Sequence, residues 1–525
     1  MYKWIKRSIQ FTKLKNMDLD IPVQIVSKRI SENIDYLKEV TLESSDIAFR
    51  TFYIGGDQKV EAFFVAVEGL YDKTSVHENI IKPLMQLKFE RNNIQERLNT
   101  IDMDLLSLSN IKKEKSLDKS IGMFLKGDPL LFIDGIDHVF VLGARAWEMR
   151  GIEEPVTETV IRGPREGFVE TLRTNTSMLR RKIHHPKLRI EQTIIGEMSQ
   201  TDIAIAYLDG IVNPEILKEV KNRLKKINID AVLESGYIEQ FIEDAPLSPF
   251  PTVSNTERPD VVAARLLEGR VAIFVEGSAT VLMVPYLLLE PFQSSEDYYS
   301  RPFYASLVRS LRMIGFLLST LAPAAYVAFQ DFHKEIFPTE LLITLAASRE
   351  GVPFPLFVEV IIMLISFEWL REAGIRMPRP VGQAVSIVGA LVLGEAAVNA
   401  GIVGAPTVII VALTAITGFL VTPLNDVTAL LRIFYLIGAA SMGVYGIILV
   451  LTFFLLHVAS LRSFGIPYAS PWFPISLSGW KDFIIRAPLW KLNRRPEALR
   501  VMDVVRQGEN QKPHPSEPGN KGDRK

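Results

Sequence analysis

Apolar and polar positions follow a sheet-and-helix pattern in the N-terminal half of the chain. The runs AFFVAV (62–67) and IAIAYL (203–208) are short and apolar, and each stops at an acidic residue followed by glycine, a pair suited to a turn. After the second run, Asn213 can cap a helix whose first residue is Pro214 and whose apolar positions lie on one face. This pattern predicts an α/β region in which helices cover a sheet.

The N-terminal half also repeats itself. LKGDPLLFIDGIDHVFVL, starting at Leu125, aligns without a gap with LEGRVAIFVEGSATVLMV, starting at Leu267, and five of the 18 positions are identical. The run ending at Gly69 matches the run ending at Gly210 with an offset of 141 residues, against 142 for the longer pair. Segments that share one offset predict two duplicated α/β lobes of about 140 residues each.

The C-terminal half is apolar over long stretches. Residues 313–329 carry no charge, and residues 433–458 have no Asp, Glu, Lys or Arg over 26 positions, which is about 39 Å of helix. Residues 352–370 form a third candidate span despite Glu359 and Glu368, whereas residues 337–351 suit an interfacial helix. We therefore expect an all-α, multi-span membrane domain after the α/β lobes.

Residues 381–421 are too long for one membrane helix, and GIVGAP at 401–406 interrupts them. We expect this stretch to turn within or near the membrane, and a re-entrant segment here gives four crossings instead of five. Small residues recur at every fourth position and predict a helix face for close packing, between copies of the protein or with partners. They are Gly382, Ser386, Ala390 and Gly394.

Glu395 is the single charged residue of that stretch, and Asn399 follows one helical turn later on the same face. A charge at mid-bilayer costs about 2.5–3.5 kcal/mol on insertion scales, so such residues usually face a bundle interior or an aqueous path. Two interpretations follow. Glu395 lines an ion pathway to which Asn399 and Glu359 contribute, or it is a protonated or arginine-paired structural carboxylate.

The composition and the absence of known motifs exclude several classes of function. The chain has 525 residues, a formal net charge of -1 and no cysteine, which excludes disulfides and thiolate chemistry. The GxxxxGK[ST], HExxH and GxSxG signatures are absent, so we expect no enzyme activity, no metal site and no cofactor. The N-terminal stretch is basic but lacks the apolar core of a secretory signal, so the α/β region is expected to stay in the cytoplasm.

A basic linker joins the two predicted lobes. Gly163-Pro164 marks a turn, and residues 167–182 are predicted to form a helix whose last turn gathers basic residues, which complement the helix dipole. The surrounding charge is balanced and no aromatic platform accompanies the basic residues. The pattern therefore argues against nucleic-acid binding and favours a solvated or subunit-facing helix.

Basic residues flank the predicted spans at 301–312, 371–379 and 462–495, and the positive-inside rule assigns all three groups to the cytoplasm. The chain is accordingly divided into five parts. They are a basic N-terminal arm (1–20), a first α/β lobe (21–161), a second α/β lobe with the linker helix (162–300), a membrane domain of four to five spans (301–470) and a cytoplasmic tail (471–525) that is disordered at its end.

Several strings within residues 125–474 resemble one known family. GPREGFVETLRTNTSMLRRKI, ERPDVVAARLLEGRVAIFVEGS, PTELLITLAASREGVPFP and PRPVGQAVSIVGALVLGEAAVNAGIV are similar to the A subunits of spore-germination nutrient receptors, the GerA family. The resemblance implies a multi-pass protein embedded in the lipid of the spore inner membrane. It also implies two partners, a transporter-like B subunit that senses the nutrient and a lipoprotein C subunit.

The resemblance further implies a homo-oligomeric ring that forms a cation channel, whose opening releases monovalent ions and starts germination. The pore then falls within residues 352–421. The linker motif would sit where the two lobes join and serve assembly or gating; its residues are Arg162, Gly163, Pro164, Arg165, Glu166, Gly167, Asn175, Arg180 and Arg181. Two alternatives stay open: a secondary transporter subunit, although no inverted repeat is visible, and a nonconducting scaffold or signal-amplifying paralogue of the same pathway.

Overall fold

The computed structural model describes residues 24–55, 60–87, 111–147, 160–377, 394–473, 479–508 and 511–513, and also residues 155, 158 and 392. The predicted basic arm and the end of the tail lie outside these residues, as do Gly382, Ser386 and Ala390. Within the described residues, an α/β region with two sheets precedes a region of long helices, as the sequence pattern predicted.

Ten strands build the α/β region. They are β1 Ile47–Ile54, β2 Val60–Val67, β3 Ile111–Glu114, β4 Leu130–Ile133, β5 Val139–Leu142, β6 Leu188–Ile195, β7 Thr201–Leu208, β8 Ser254–Thr256, β9 Val271–Val275 and β10 Val281–Val284. The first sheet has the order β1-β2-β4-β5-β3 and the second has the order β6-β7-β9-β10-β8, with antiparallel pairing throughout. The two orders are the same, element for element.

Helices accompany each sheet, and among the described residues the second lobe has one more helix, Ser235–Ile242, than the first. They are α1 Ile30–Thr41, α2 Lys73–Val76 extended through a π-helical turn and Lys82–Gln86, α3 Leu117–Phe124, α4 Leu172–Lys182, α5 Pro214–Lys226, α6 Ser235–Ile242 and α7 Pro259–Leu267. The strands β1 and β6 begin 141 residues apart, and β5 and β10 begin 142 residues apart. These are the two offsets at which the sequence repeats.

Both faces of each sheet are buried at its central strands, which explains the continuous apolar runs there. In β2, Phe63 and Val65 pack with α1 and α3, whereas Phe64 and Ala66 pack with α2 on the other face. Successive side chains of a strand point to opposite faces, so a strand covered on both sides needs apolar residues at every position. β7 follows the same rule in the second lobe.

The linker helix α4 differs from its prediction in two ways. It begins at Leu172 rather than at residue 167, because the Asn175 side chain bonds both backbone groups of Val169 and holds the preceding residues extended. Its residues 174–180 are buried within this chain. The interpretation as a solvated or subunit-facing helix is therefore wrong for most of the helix, since the two lobes enclose it.

The helical region begins after α8 Glu296–Tyr299. Its helices are α9 Pro302–Asp331, α10 Thr339–Ala347, α11 Leu356–Arg376, α12 Ala405–Gly418, α13 Asn425–Met442 and α14 Val444–Ser460. Within the described residues, Pro302–Asp331 and the stretch Ala405–Met442 are long and apolar enough to cross a membrane, and Val444–Ser460 is a shorter apolar helix. Residues 394–399 are also helical.

Helices α9 and α11 run in opposite directions. α9 leaves the second lobe and ends at Asp331, which lies 4.0 Å from Nη1 of Arg349. Nε of Arg349 is 3.5 Å from Glu359 in the first turn of α11. We call the end of the helical region at the second lobe its near end and the opposite end its far end. α11 thus begins at the far end and returns toward the lobes.

Helices α12 and α13 form a second antiparallel pair. α12 starts at the far end beside the first turn of α11, and the segment after it brings Leu420 against Gly315 in the first half of α9. The backbone leaves the helical conformation at Val421. α13 then runs outward along α9, because Nε of Arg432 donates to the carbonyl of Ser319 at 3.0 Å.

The prediction of one span over residues 433–458 is wrong, because the chain reverses at Gly443. This glycine has a φ of 61° and separates α13 from α14. The backbones of Gly438 and Gly446 approach so closely that a Cβ on Gly446 would collide with the carbonyl of Gly438. A sequence window records apolar length, but the reversal depends on this contact between two glycines.

The segment after α14 returns to the second lobe. Ser463 Oγ accepts from the backbone N–H of Tyr286 at 3.0 Å and donates to the carbonyl of Thr252 at 2.7 Å. Further along, the N–H of Met502 donates to a carbonyl of the same lobe at 3.1 Å. The first part of the tail is therefore folded structure packed on the second lobe, and both ends of the helical region adjoin that lobe.

Candidate functional site

Glu359 is fully buried at the far end of the helical region. Its Oε1 accepts from the backbone N–H of Gly404 at 2.7 Å and from the hydroxyl of Thr407, both at the start of α12. Its Oε2 lies 3.5 Å from Nε of Arg349. A carboxylate is stabilised at a helix N-terminus by unpaired N–H groups and by the helix dipole. Glu359 thus ties the start of α12 to α11 and to the preceding loop.

Glu395 and Asn399 lie on the outer surface of the chain. Both side chains are exposed on the helical segment 394–399, where they share a face as i and i+4. Gly394 beside them is buried, and Val408 of α12 packs against it. The structure thus separates the three predicted pathway residues into a buried one, Glu359, and an exposed pair.

Arg432 of α13 is a buried charge that the sequence analysis did not single out. It is 4% exposed, and besides the Ser319 carbonyl it contacts Oε1 of Glu368 in α11 at 3.2 Å. The other oxygen of Glu368 lies 2.7 Å from Arg371. A lone arginine inside the apolar segment 427–442 was the available signal, because buried charges need partners.

The two lobes meet at a buried ion pair. Arg180 of α4 is 0% exposed, and its Nε and Nη2 donate to the two oxygens of Asp46 at 2.9 and 2.8 Å. Ser44 Oγ donates to Asp46 at 2.7 Å and accepts from the backbone N–H of Ile190 in β6 at 3.0 Å. Ser44 and Asp46 belong to the first lobe and were not predicted as site residues, since nothing local to them marks a partner 136 and 134 residues away, respectively.

Residues 162–164 of the linker motif bond the linker to the second lobe and to α8 at the start of the helical region. The backbone N–H of Arg162 donates to Glu296 of α8 at 3.1 Å. The carbonyl of Pro164 accepts from buried Arg258 at 3.1 Å, and a Cβ on Gly163 would meet the ring of Tyr299. These contacts place Arg162 and Gly163 beside α8, and Pro164 beside the start of α7.

The remaining motif residues stabilise the linker itself. Glu166 pairs with Arg181 at 3.1 Å and with Lys182 at 3.3 Å, and the Arg181 guanidinium stacks 5.0 Å from the ring of Trp147 in the first lobe. Gly167 is buried and Arg165 is exposed. Arg180 and Arg181 of the motif thus reach across to the first lobe through their side chains.

A further polar cluster joins the near end of α9 to the tail. Arg309, 1% exposed, donates from Nε to Asp297 at 2.7 Å and from Nη1 to the carboxylate of Asp482 at 2.8 Å. The hydroxyl of Tyr298 donates to Asp482 at 2.8 Å, and burial together with Asp482 raises the pKa of this phenol. The base of the first apolar helix is therefore bonded to both the second lobe and the tail.

These features define a class of protein: an α/β region of two lobes bonded through buried ion pairs to a bundle of apolar helices. Within the described ranges, no three His, Cys, Asp or Glu side chains are placed to hold a metal ion. The family of Bacillus/Clostridium GerA spore germination proteins matches residues 35–498, and the chain belongs to this family.

Individual relatives agree with this assignment. Spore germination protein KA of Bacillus subtilis (strain 168) is 47% identical over 495 residues, which cover 94% of this chain and 90% of the relative. The uncharacterized membrane protein YfkQ of the same strain is 42% identical, covering 93% and 94%. Spore germination protein GerLA of Bacillus cereus is 42% identical, covering 83% and 88%.

One solved structure is also similar. It is the crystal structure of the N-terminal domain of the A subunit of the Bacillus megaterium spore germinant receptor GerK3, with 37% sequence identity and a TM-score of 0.41. The match covers 51% of this chain and 98% of that one.

Proposed function

We propose that this chain is the membrane subunit of a germinant receptor and that copies of it assemble into a nutrient-gated cation channel. The observation that carries the proposal is the exposure of Glu395 and Asn399 beside exposed apolar side chains such as Val392, Ile409 and Ile416. A carboxylate facing lipid is costly. A water-filled path between copies of the chain would hydrate it.

Close packing between copies would form the walls of this path. Gly382, Ser386, Ala390 and Gly394 remain the proposed packing face, of which only Gly394 lies in the described part. Glu359 takes a gating role in this proposal rather than a lining one, because it anchors the start of α12 instead of facing the surface. Movement of α12 would then reach the exposed pair through the contact of Gly394 with Val408.

We further propose an even number of membrane crossings, with both lobes and the tail in the cytoplasm. The support is that α9 and α13 run outward, that α11, α12 and α14 run back, and that both ends of the helical region adjoin the second lobe. An even number of crossings agrees with the position of the flanking basic residues.

The interlobe residues are proposed to transmit or assemble rather than to catalyse. The shared strand order and offsets support an origin of the two lobes by duplication of one unit. Arg180 and Arg181 would keep the lobes in register, and Arg162 to Pro164 would connect them to α8. The proposed partners are the surrounding lipid of the spore inner membrane, further copies of this chain, a transporter-like B subunit and a lipoprotein C subunit.

The test is potassium release from spores after nutrient addition, comparing the wild type with Glu395→Gln and Asn399→Ala at matched protein level. We expect each variant to slow or abolish release while the protein stays in the membrane. Glu340→Gln is the matched control, because Glu340 is exposed at the far end but lies on α10. Its release should equal that of the wild type.

Unchanged release in Glu395→Gln would remove the carboxylate from the pathway and favour the nonconducting scaffold. Saturable substrate flux through the purified chain alone would favour the secondary transporter. Loss of protein from the membrane would be detected in the same samples, so a folding defect is distinguished from a conduction defect.

A further inference from the structure

The tail segment 479–494 packs against the first turns of α9, the first apolar helix. Besides its contact with the Asp482 carboxylate, Nη1 of Arg309 donates to the carbonyl of Phe483 at 3.0 Å. The backbone N–H of Arg486 donates to Ser306 Oγ, also at 3.0 Å. Arg309 precedes the first residue of the uncharged stretch, Met313, by one helical turn, which is about 6 Å along the axis. The segment therefore surrounds α9 where the helix would leave the hydrocarbon for the headgroup layer.

Large apolar side chains of this segment point outward. Trp480 is 42% exposed and Ile485 is 68% exposed, and Leu489 and the nearby Phe473 are also exposed. The Trp480 ring packs edge-on against buried Phe483 at 5.8 Å, so its orientation is fixed by the fold. Tryptophan and phenylalanine beside lysine and arginine are typical of surfaces at the membrane interface.

Three cations lie beside these apolar residues. Lys481, Lys491 and Arg494 line an open pocket of 240 Å³ together with Leu492 and Asn493. All three are exposed, and none forms an ion pair with a carboxylate of the described residues. The adjacent Asp482 does not neutralise them, since its two oxygens are bonded to Arg309 and Tyr298.

We propose that this pocket binds the phosphate of an anionic phospholipid headgroup. Lysine ammonium groups and an arginine fork are the side chains that hold phosphate, and Asn493 adds an amide at the rim. Trp480, Ile485 and Leu489 enter the boundary between headgroups and acyl chains. The site rests on the proposed membrane embedding but not on channel activity, and it anchors the tail and the base of α9 to one leaflet.

The experiment measures thermal unfolding of the full chain in a nonionic detergent during titration with dihexanoyl phosphatidylglycerol. Dihexanoyl phosphatidylcholine and inorganic phosphate form the other two arms, which separate an anionic lipid from a neutral lipid and from a free anion. The variant combines Lys481→Gln, Lys491→Gln and Arg494→Gln. The control variant combines Lys218→Gln, Lys225→Gln and Lys226→Gln, three exposed lysines of α5 on the second lobe.

We expect phosphatidylglycerol to raise the unfolding midpoint of the wild type more than either other probe does. The pocket variant should need on the order of tenfold more lipid for the same shift, and the α5 variant should behave as the wild type. Arg494→Glu alone gives a second reading, because reversing one exposed charge should weaken the response without affecting the fold.

Three results would overturn the proposal. Equal shifts with both lipids would remove headgroup charge from the interaction. An equal shift with inorganic phosphate would make the pocket a general anion site. A full response in the pocket variant would place the lipid elsewhere. None of these results depends on ion release, so failure here leaves the channel proposal to its own test.

Discussion

At the scale of single residues, buried charges hold this protein together across large separations in sequence. Arg180 and Asp46 are both nearly inaccessible and bond through two donor–acceptor pairs. Each ion has lost its water, so either one alone would be far less stable than the pair. The neighbouring pair of Arg173 with Glu68 is shorter, at 2.7 Å, but keeps 39% of the arginine side chain exposed. We therefore expect burial, and not distance, to decide how much each pair contributes to the free energy of unfolding.

Replacing Arg180 by Met tests this point. We expect Arg180→Met to lower the free energy of unfolding by about 3–5 kcal/mol, because it leaves Asp46 buried without a partner. The matched variant Arg173→Met should cost about 1 kcal/mol or less, since its pair is partly solvated. Unfolding of the two full-length variants, followed by circular dichroism, measures the difference. Equal losses would contradict the assignment of Arg180 as the main contact between the lobes.

Glu239 on α6 gives a pH-dependent prediction. Burial, reinforced by the nearby carboxylates of Glu243 and Glu234, raises the pKa of Glu239 to about 7. Its folded-state pKa lies above its unfolded value, so its contribution to stability is full at acidic pH and is lost as the pH rises toward and through about 7. Glu239→Gln should therefore stabilise the protein at pH 8 and make little difference at pH 4.

Thermal unfolding of wild type and variant across this pH range is the measurement. Glu197→Gln, at an exposed carboxylate in the same lobe, serves as the control and should leave the curve unchanged. A stabilisation by Glu239→Gln that is the same at every pH would show that packing, and not ionisation, is responsible.

At the scale of elements, glycines decide how closely the helices approach. α13 and α14 are antiparallel and meet at Gly438 and Gly446, and Phe434 and Tyr435 of α13 pack around Phe454 of α14. Small residues at such contacts allow the helix backbones themselves to touch. The strands follow a different rule, since β2 and β7 are apolar at consecutive positions because helices cover both faces.

The substitution Gly446→Ala tests the helix contact. Its Cβ would collide with backbone, which cannot move aside as a side chain can, so we expect a loss of roughly 1–3 kcal/mol or more. Gly122→Ala is the matched control, because Gly122 lies in α3 with open space around it and should gain up to about 1 kcal/mol of helix propensity. Thermal unfolding in detergent compares the two, and an unperturbed Gly446→Ala would contradict the reversal at Gly443.

At the scale of the whole molecule, the second lobe connects the other parts of the chain. The linker, the base of α9 and the tail all bond to it or to α8 beside it. A shift of this lobe would therefore be passed to the first apolar helix through Arg309 and to the first lobe through α4. Because the chain enters and leaves the helical region at this lobe, both ends of the region lie at its near end.

Single cysteines test this arrangement, because the chain has none of its own. Thr193→Cys in the second lobe and Met502→Cys in the tail should react with an impermeant thiol reagent only after the membrane is permeabilised. Glu350→Cys at the far end should react in intact cells. Labelling of Thr193→Cys and Met502→Cys from opposite sides would contradict an even number of crossings.

The class of fold was predictable because it depends on local pattern. Apolar runs marked β2 and β7, a shared offset marked the correspondence of the lobes, and long uncharged stretches marked the helical region. The candidate site was harder to predict from the sequence. The sequence singled out Glu395, Asn399 and Arg180, but it did not separate exposed Glu395 from buried Glu359, and it missed Arg432 and Asp46.

The sequence by itself determined which segments are sheet-forming, which are apolar enough for a membrane and which family the chain resembles, because these follow from the order of side chains along short stretches. Only the tertiary structure decided which charges are paired. Arg180 meets Asp46 across 134 residues and Arg309 meets Asp482 across 173. It also decided that the chain reverses at Gly443 and that the tail returns to the second lobe. Such contacts depend on how separate elements pack, and no local pattern records that.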